Sequence, residues 1–157
     1  MATATTLQYL EETDSAGNAY STGTSNRRQI ETFIAGGAIG AGDVVVFNVA
    51  DGGGSEVVLE VIEGIADGPA IGVALAAAAT GDRVDVCISG LAEAQVKGAN
   101  NGGAAAISSG DFLCLGDVNG TLYKYTAGTD AQVHAIAVDD VASGATVSAT
   151  VIVLKQF

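Results

Sequence analysis

From Gln29 onward, apolar and polar residues alternate in short runs bounded by glycine. Val57, Leu59 and Val61 alternate with Val58, Glu60 and Ile62. Val84, Val86 and Ile88 alternate with Asp85, Cys87 and Ser89, and Ala92, Ala94 and Val96 alternate with Glu93, Gln95 and Lys97. A period of two marks a strand with two unlike faces. Further apolar runs lie at Val44 to Val49, Ile71 to Leu75, Phe112 to Leu115, Leu122 to Tyr125, Val133 to Val138 and Val147 to Leu154. These nine runs, separated by turn residues, predict an all-β fold, a compact sandwich or barrel.

Two turns can be read from their chemistry. Asp117-Val118-Asn119-Gly120 separates two apolar runs, and Asn-Gly supplies the positive φ angles of a hairpin. Asp51-Gly52-Gly53-Gly54 separates two Val-rich runs in the same manner. Ala76 to Ala79 have helical propensity, but four alanines beside Gly81 nucleate little helix, so a turn is expected there.

The chain repeats itself. Ala38-Ile39-Gly40-Ala41-Gly42-Asp43 leads into Val44-Val45-Val46-Phe47, and Ala106-Ile107-Ser108-Ser109-Gly110-Asp111 leads into Phe112-Leu113-Cys114-Leu115, an offset of 68. Ala70-Ile71-Gly72-Val73 and Ala135-Ile136-Ala137-Val138 stand 65 apart, and Gly81 and Gly144, with Val84 and Val147, 63 apart. The expectation is one β domain over residues 29–157, built from pseudo-repeats at about 36–97 and 104–154, each needing the other to bury its inner face. Residues 1–28 have a different texture, rich in Thr, Ser, Asn, Glu and Gly, and read as a flexible N-terminal arm.

Composition refines this picture. Hydrophobic residues make up 48% of the 157, but 28 of them are Ala and 18 are Val, so the core is expected to be thin and finely packed. The 6 Lys and Arg are scattered against 18 Asp and Glu, a net charge of −12. Such a chain cannot neutralise a run of phosphates, so nucleic acid and anionic membranes are not expected partners. The charge instead favours solubility at high concentration. No basic segment precedes an apolar one at the N-terminus, and the longest weakly polar run, Ala70 to Ala79, is about ten residues against the ~20 a membrane span needs. Synthesis in the cytoplasm is expected. Cys87 and Cys114 show no ligand or redox spacing and read as reduced thiols packed in or beside strands.

Catalytic, cofactor-binding and metal-binding residues are expected to be absent. The single His134 has no Ser or Cys motif beside it and reads as a strand histidine near solvent. Gly37, Gly40 and Gly42 form GxxGxG, the wrong order for a dinucleotide turn, and open into strand. Asp117-x-Asn119-Gly120 starts like a calcium loop, but Gly128 stands where the distal Glu belongs. Asn119-Gly120-Thr121 is a glycosylation sequon without secretion to use it. Asp82 with Asp85 and Asp139 with Asp140 are the pairs a hydrolase would need, an enzyme reading weaker than a structural one. Asp43, Asp82 and Asp111 each follow Gly at a turn, where a carboxylate accepts a backbone N–H. Tyr123 and Tyr125 share a strand face and are the candidates for a glycan contact.

Ala38-Ile39-Gly40-Ala41-Gly42-Asp43-Val44-Val45, then Ile71 to Val86 with Ala76-Ala77-Ala78-Ala79-Thr80-Gly81-Asp82 at its centre, then Ser89-Gly90, resembles the capsid decoration (cement) proteins of tailed bacteriophages. The shared pattern is AIxAGDVV, IGVALxxAAAGDxVxV and SG, over roughly residues 30–115. The resemblance implies a β-tulip-like domain that forms a homotrimer on the outer surface of the virion head. There it would stabilise the lattice by bridging neighbouring subunits of the major capsid protein. In lambda-like relatives an N-terminal arm adds a strand to the lattice. The equivalent here is an arm with Thr5, Thr6, Leu7, Gln8, Tyr9, Leu10 and Tyr20 as its contacts. A phage fibre or spike, or another β-rich adhesion module for a host glycan or protein, is the alternative.

Overall fold

The structure is a computed structural model and describes residues 28–48, 60–65, 69–130 and 132–156. The arm residues Thr5, Thr6, Leu7, Gln8, Tyr9, Leu10 and Tyr20, and the turn at Asp51 to Gly54, lie outside that set. Eleven strands are described, and none of the described residues is helical. They are β1 (Gln29–Ala35), β2 (Val44–Phe47), β3 (Glu60–Glu63), β4 (Ala70–Ala74), β5 (Arg83–Lys97), β6 (Ala99–Asn100), β7 (Gly103–Ala104), β8 (Phe112–Leu115), β9 (Leu122–Lys124), β10 (Ala135–Ala137) and β11 (Thr146–Val153).

Nine of these strands form two closed rings that share one member. The order β1-β3-β2-β4-β5 closes because β1 also pairs with β5, and the order β5-β11-β10-β8-β9 closes because β9 also pairs with β5. The second closure rests on one parallel register pair, Val96 opposite Leu122. Each half therefore closes upon itself. The shared strand makes this possible: Arg83 to Ser89 of β5 pair with β1, and Gly90 to Lys97 pair with β11. Gly90, at the changeover, has φ 102°, a conformation side chains strain to adopt, so the strand passes between rings at the residue best able to turn there.

The sequence repeat reappears as matched hydrogen bonds. Ile39 and Ala78 exchange backbone bonds of 2.9 Å, and so do Ile107 and Val141. The Asp43 carboxylate accepts the Gly40 N–H at 2.6 Å, and Asp111 accepts Ser108 N–H at 2.8 Å. Asp82 serves the turn through its backbone instead, donating to Ala79 O at 3.0 Å and accepting from Ala35 N–H at 2.8 Å. That last bond has its own counterpart, Gly98 N–H to Ala145 O at 2.8 Å, so β1 and the second half of β5 belong to the repeat as well. The Ala-rich stretch is a bend carrying the Ala78 bridge.

Strand pairing also explains where apolar runs replace alternation. β4 is buried at all five positions because one face lines the first barrel and the other meets the second. Opposite β2 the register runs Val44 to Val73, Val45 to Gly72 and Val46 to Ala70, leaving Ile71 as an extra, bulged residue. Phe33, Val45, Val61, Ile71, Val84, Val86 and Ile88 fill the first barrel. Leu113, Leu115, Leu122, Val151 and Val153 pack with the outward row Val44, Val73 and Cys87 of the first barrel. The second barrel is thereby seated on the wall of the first. At the contact, the Gly120 carbonyl accepts Val44 N–H and the Gly120 N–H donates to Gly64 O, both at 2.8 Å.

Candidate functional site

Three places merit a chemical reading: a polar cleft, a carboxylate pair at the barrel junction, and an apolar stripe on the second barrel. The cleft, of about 640 Å³, lies between the β6–β7 hairpin and the β8–β9 connection. Lys97 Nζ donates to the Tyr123 hydroxyl at 3.2 Å and sits 5.3 Å from its ring centroid, and the hydroxyl in turn bonds to Asp117. Burial raises the Tyr123 pKa, with the Asp117 bond adding to the effect, while the same bond holds Asp117 below its ordinary value. On the other wall, Asn101 Nδ2 donates to Asp130 at 3.1 Å, and Asp130 also accepts Thr126 N–H. These polar groups answer one another across the cleft wall, an arrangement that fixes the walls. The Tyr123 ring is buried beside Gly116, so it offers no open face for stacking, and Tyr125 packs against the same small cluster.

The sequence-derived carboxylate pairs separate into individual structural tasks. Asp139 accepts Thr150 N–H at 2.8 Å and Asp140 accepts Ser109 N–H at 2.7 Å. Asp85 accepts the Thr32 hydroxyl at 2.6 Å. The backbone bond lowers the Asp139 pKa, and the Lys124 ammonium at 2.7 Å, followed by Ser108 N–H, lowers that of Asp111. A pair that spacing alone does not reveal is Glu63 with Asp43. Burial, followed by the hydrogen bond with Asp43, raises the Glu63 pKa. Among the described residues, no group of three or more His, Cys, Asp or Glu has metal-binding proximity.

His134 departs from expectation. It is buried, 4% exposed, at the lip of β10, where its N–H donates to Leu113 O at 2.8 Å and its carbonyl accepts Leu154 N–H at 2.9 Å. The second barrel's seat on the first, lined here by Val44, Val73, Leu122 and Val153, covers a side chain that a lone barrel would leave near solvent. Cys87 and Cys114 are both buried, and burial raises the Cys87 thiol's pKa.

The apolar stripe crosses the outer wall of the second barrel. Phe112 stands opposite Ile136, Ile136 opposite Ile152, and Ile152 opposite Leu91, so four apolar residues occupy one row on β8, β10, β11 and β5. Phe112 is 53% exposed and Ile152 39%, with Ile136 and Leu91 partly exposed. Tyr125 extends the row, its N–H donating to Phe112 O at 2.8 Å.

No protein-family model matches the chain, and no curated protein matches it. Among solved structures, it is similar to the N base of the head fibre protein gp8.5 of bacteriophage phi29. The identity is 20% and the TM-score 0.54, with 81% of this chain and 94% of that one covered, so the likeness is one of fold.

Proposed function

We propose that this chain is a structural protein of a tailed-phage virion. It binds the outer surface of the head as a homotrimer and stabilises the capsid lattice by bridging neighbouring subunits of the major capsid protein. The observation that carries the reading is the fold shared with a head fibre base over 94% of that chain's length. It is supported by the decoration-protein pattern at Ala38 to Val45 and Ile71 to Val86, and by a net charge of −12 suited to a protein stored soluble before assembly. In this reading the protein performs no chemical step and uses no cofactor. Its work is area buried among many copies, and three attachment points per trimer add avidity.

The test is to strip heads of the protein, add it back, and measure the temperature at which they release DNA. Heads regain heat tolerance with it under the proposal; equal tolerance with and without it overturns the stabilising role. A second reading, the base module of a head fibre, is favoured by the neighbour itself. Cryo-electron microscopy of the particle separates the two, since a fibre base carries further density outward and a cement protein does not.

A further inference from the structure

We propose that the outer stripe of the second barrel, Phe112, Ile136, Ile152 and Leu91, is the surface by which the folded body docks onto a protein patch that is apolar at its centre and rimmed with Lys and Arg. This deepens the proposed role and rests on it, the patch being on the capsid subunit.

The internal repeat shows what such a row is for. Its counterpart in the first barrel is Val44, Val73 and Cys87, again in direct register across three strands. There the row is 2%, 2% and 0% exposed, because the second barrel covers it. In the second barrel the same wall carries larger side chains and is left open among the described residues, with Phe112 53% exposed. A covered row needs only small residues that fit their cover. An uncovered row of Phe and Ile is an apolar patch of the kind that marks an interaction site.

A second copy of this chain fits the patch poorly. The seat on the first barrel depends on Gly64, where a Cβ would come within 2.7 Å of Leu115. Gly64 N–H donates to Val44 O as Tyr125 N–H donates to Phe112 O, so Tyr125 fills the matching place in the second barrel and blocks the same stacking. Charge points the same way. Two residues beyond Leu91 on the same face lies Glu93, held by Ser148 and Thr150 hydroxyls at 3.3 and 3.0 Å. Asp139 is fixed on Thr150 beside Val138, itself 37% exposed. The ammonium of Lys124 is occupied by Asp111 at 2.7 Å. The fixed rim is thus acidic, which selects a basic-rimmed partner and repels a like-charged copy.

The experiment measures binding of the full chain to heads assembled from the cognate major capsid protein, by co-pelleting across a protein titration. Phe112→Asp should weaken binding roughly a hundredfold and Glu93→Lys roughly tenfold. Ile65→Asp, at an equally exposed apolar site off the stripe, should leave binding unchanged. Circular dichroism and light scattering on each variant report fold and mass, and all these positions except Glu93, which is exposed and polar, are exposed apolar ones whose loss leaves the core intact. Ile152→Ser serves as a second, uncharged probe. Unchanged binding by Phe112→Asp and Ile152→Ser overturns the inference while leaving the head role standing. A fall in oligomer mass in those variants also overturns it, making the stripe a self-contact. Failure of the wild-type chain to bind heads removes the proposed function and this inference with it.

Discussion

The two barrels share a hydrogen-bond plan but differ in what lies against their walls. The first is walled on one side by the second at Gly64, where the second carries Tyr125, and its own β5 presses on Gly72, where the second carries Ala135. The second has its equivalent wall open and lined with larger side chains. The internal repeat therefore sets the plan, and the surroundings go with the residues: small where a neighbouring element presses in, large where the wall is open.

The sharpest break of that equivalence is at Gly72. Because a Cβ there would overlap the Cys87 carbonyl, Gly72→Ala should destabilise by about 3 kcal/mol or more, although it installs the residue the second barrel already uses. The reciprocal Ala135→Gly should cost only about 1 kcal/mol; urea unfolding of both measures the contrast. Next comes the pair Val44→Ser and Phe112→Ser. The first should cost about 2 kcal/mol, since a hydroxyl replaces an apolar side chain sealed between barrels, and the second should stay within about 0.5 kcal/mol in the free protein. Equal costs would mean that the second wall is covered in solution. Asp43→Ala and Asp111→Ala each remove the same turn bond, to Gly40 and to Ser108, and should each cost about 1 kcal/mol by denaturant midpoint.

The smallest effect is with pH. Glu63 has a raised pKa in the fold, so the folded state holds its proton more tightly and stability rises as pH falls from neutral toward the ordinary glutamate value of 4.5. Asp111, Asp117 and Asp139 have lowered values, and their contribution is present above the ordinary aspartate value of 3.8 and lost as pH falls below it. A thermal-unfolding series should therefore peak in mildly acid solution, and Glu63→Gln should flatten the rise on its neutral side.

Legibility in the sequence followed burial. Strands β2 and β4 were visible as apolar runs because both faces are covered or nearly so, and β8 and β10 because their open outer face is itself apolar, at Phe112 and Ile136. β1 went unread because Gln29-Ile30-Glu31-Thr32 are all exposed and only Phe33 and Ala35 are buried, too few to show a period. β5 read as two strands because Ser89-Gly90-Leu91 interrupts the alternation where the chain changes barrels. The Asn119-Gly120 hairpin was legible from turn chemistry, and β8 and β9 pair across it. The stripe was not legible, since its members come from four strands whose registers are set only by folding; Phe112 in isolation looks like the edge of a core run. His134 was misread for a related reason: its cover comes from the seat between barrels, which no local pattern announces.

Because one uninterrupted fifteen-residue strand is a stave of both barrels, neither barrel can be peeled away without tearing the other. Tension drawn lengthwise along that strand loads its eight-residue ladder with β11 all at once instead of rung by rung. In the proposed role, a fastener holding against internal pressure would gain toughness from such a shared spine and yield suddenly, as a unit, instead of fraying.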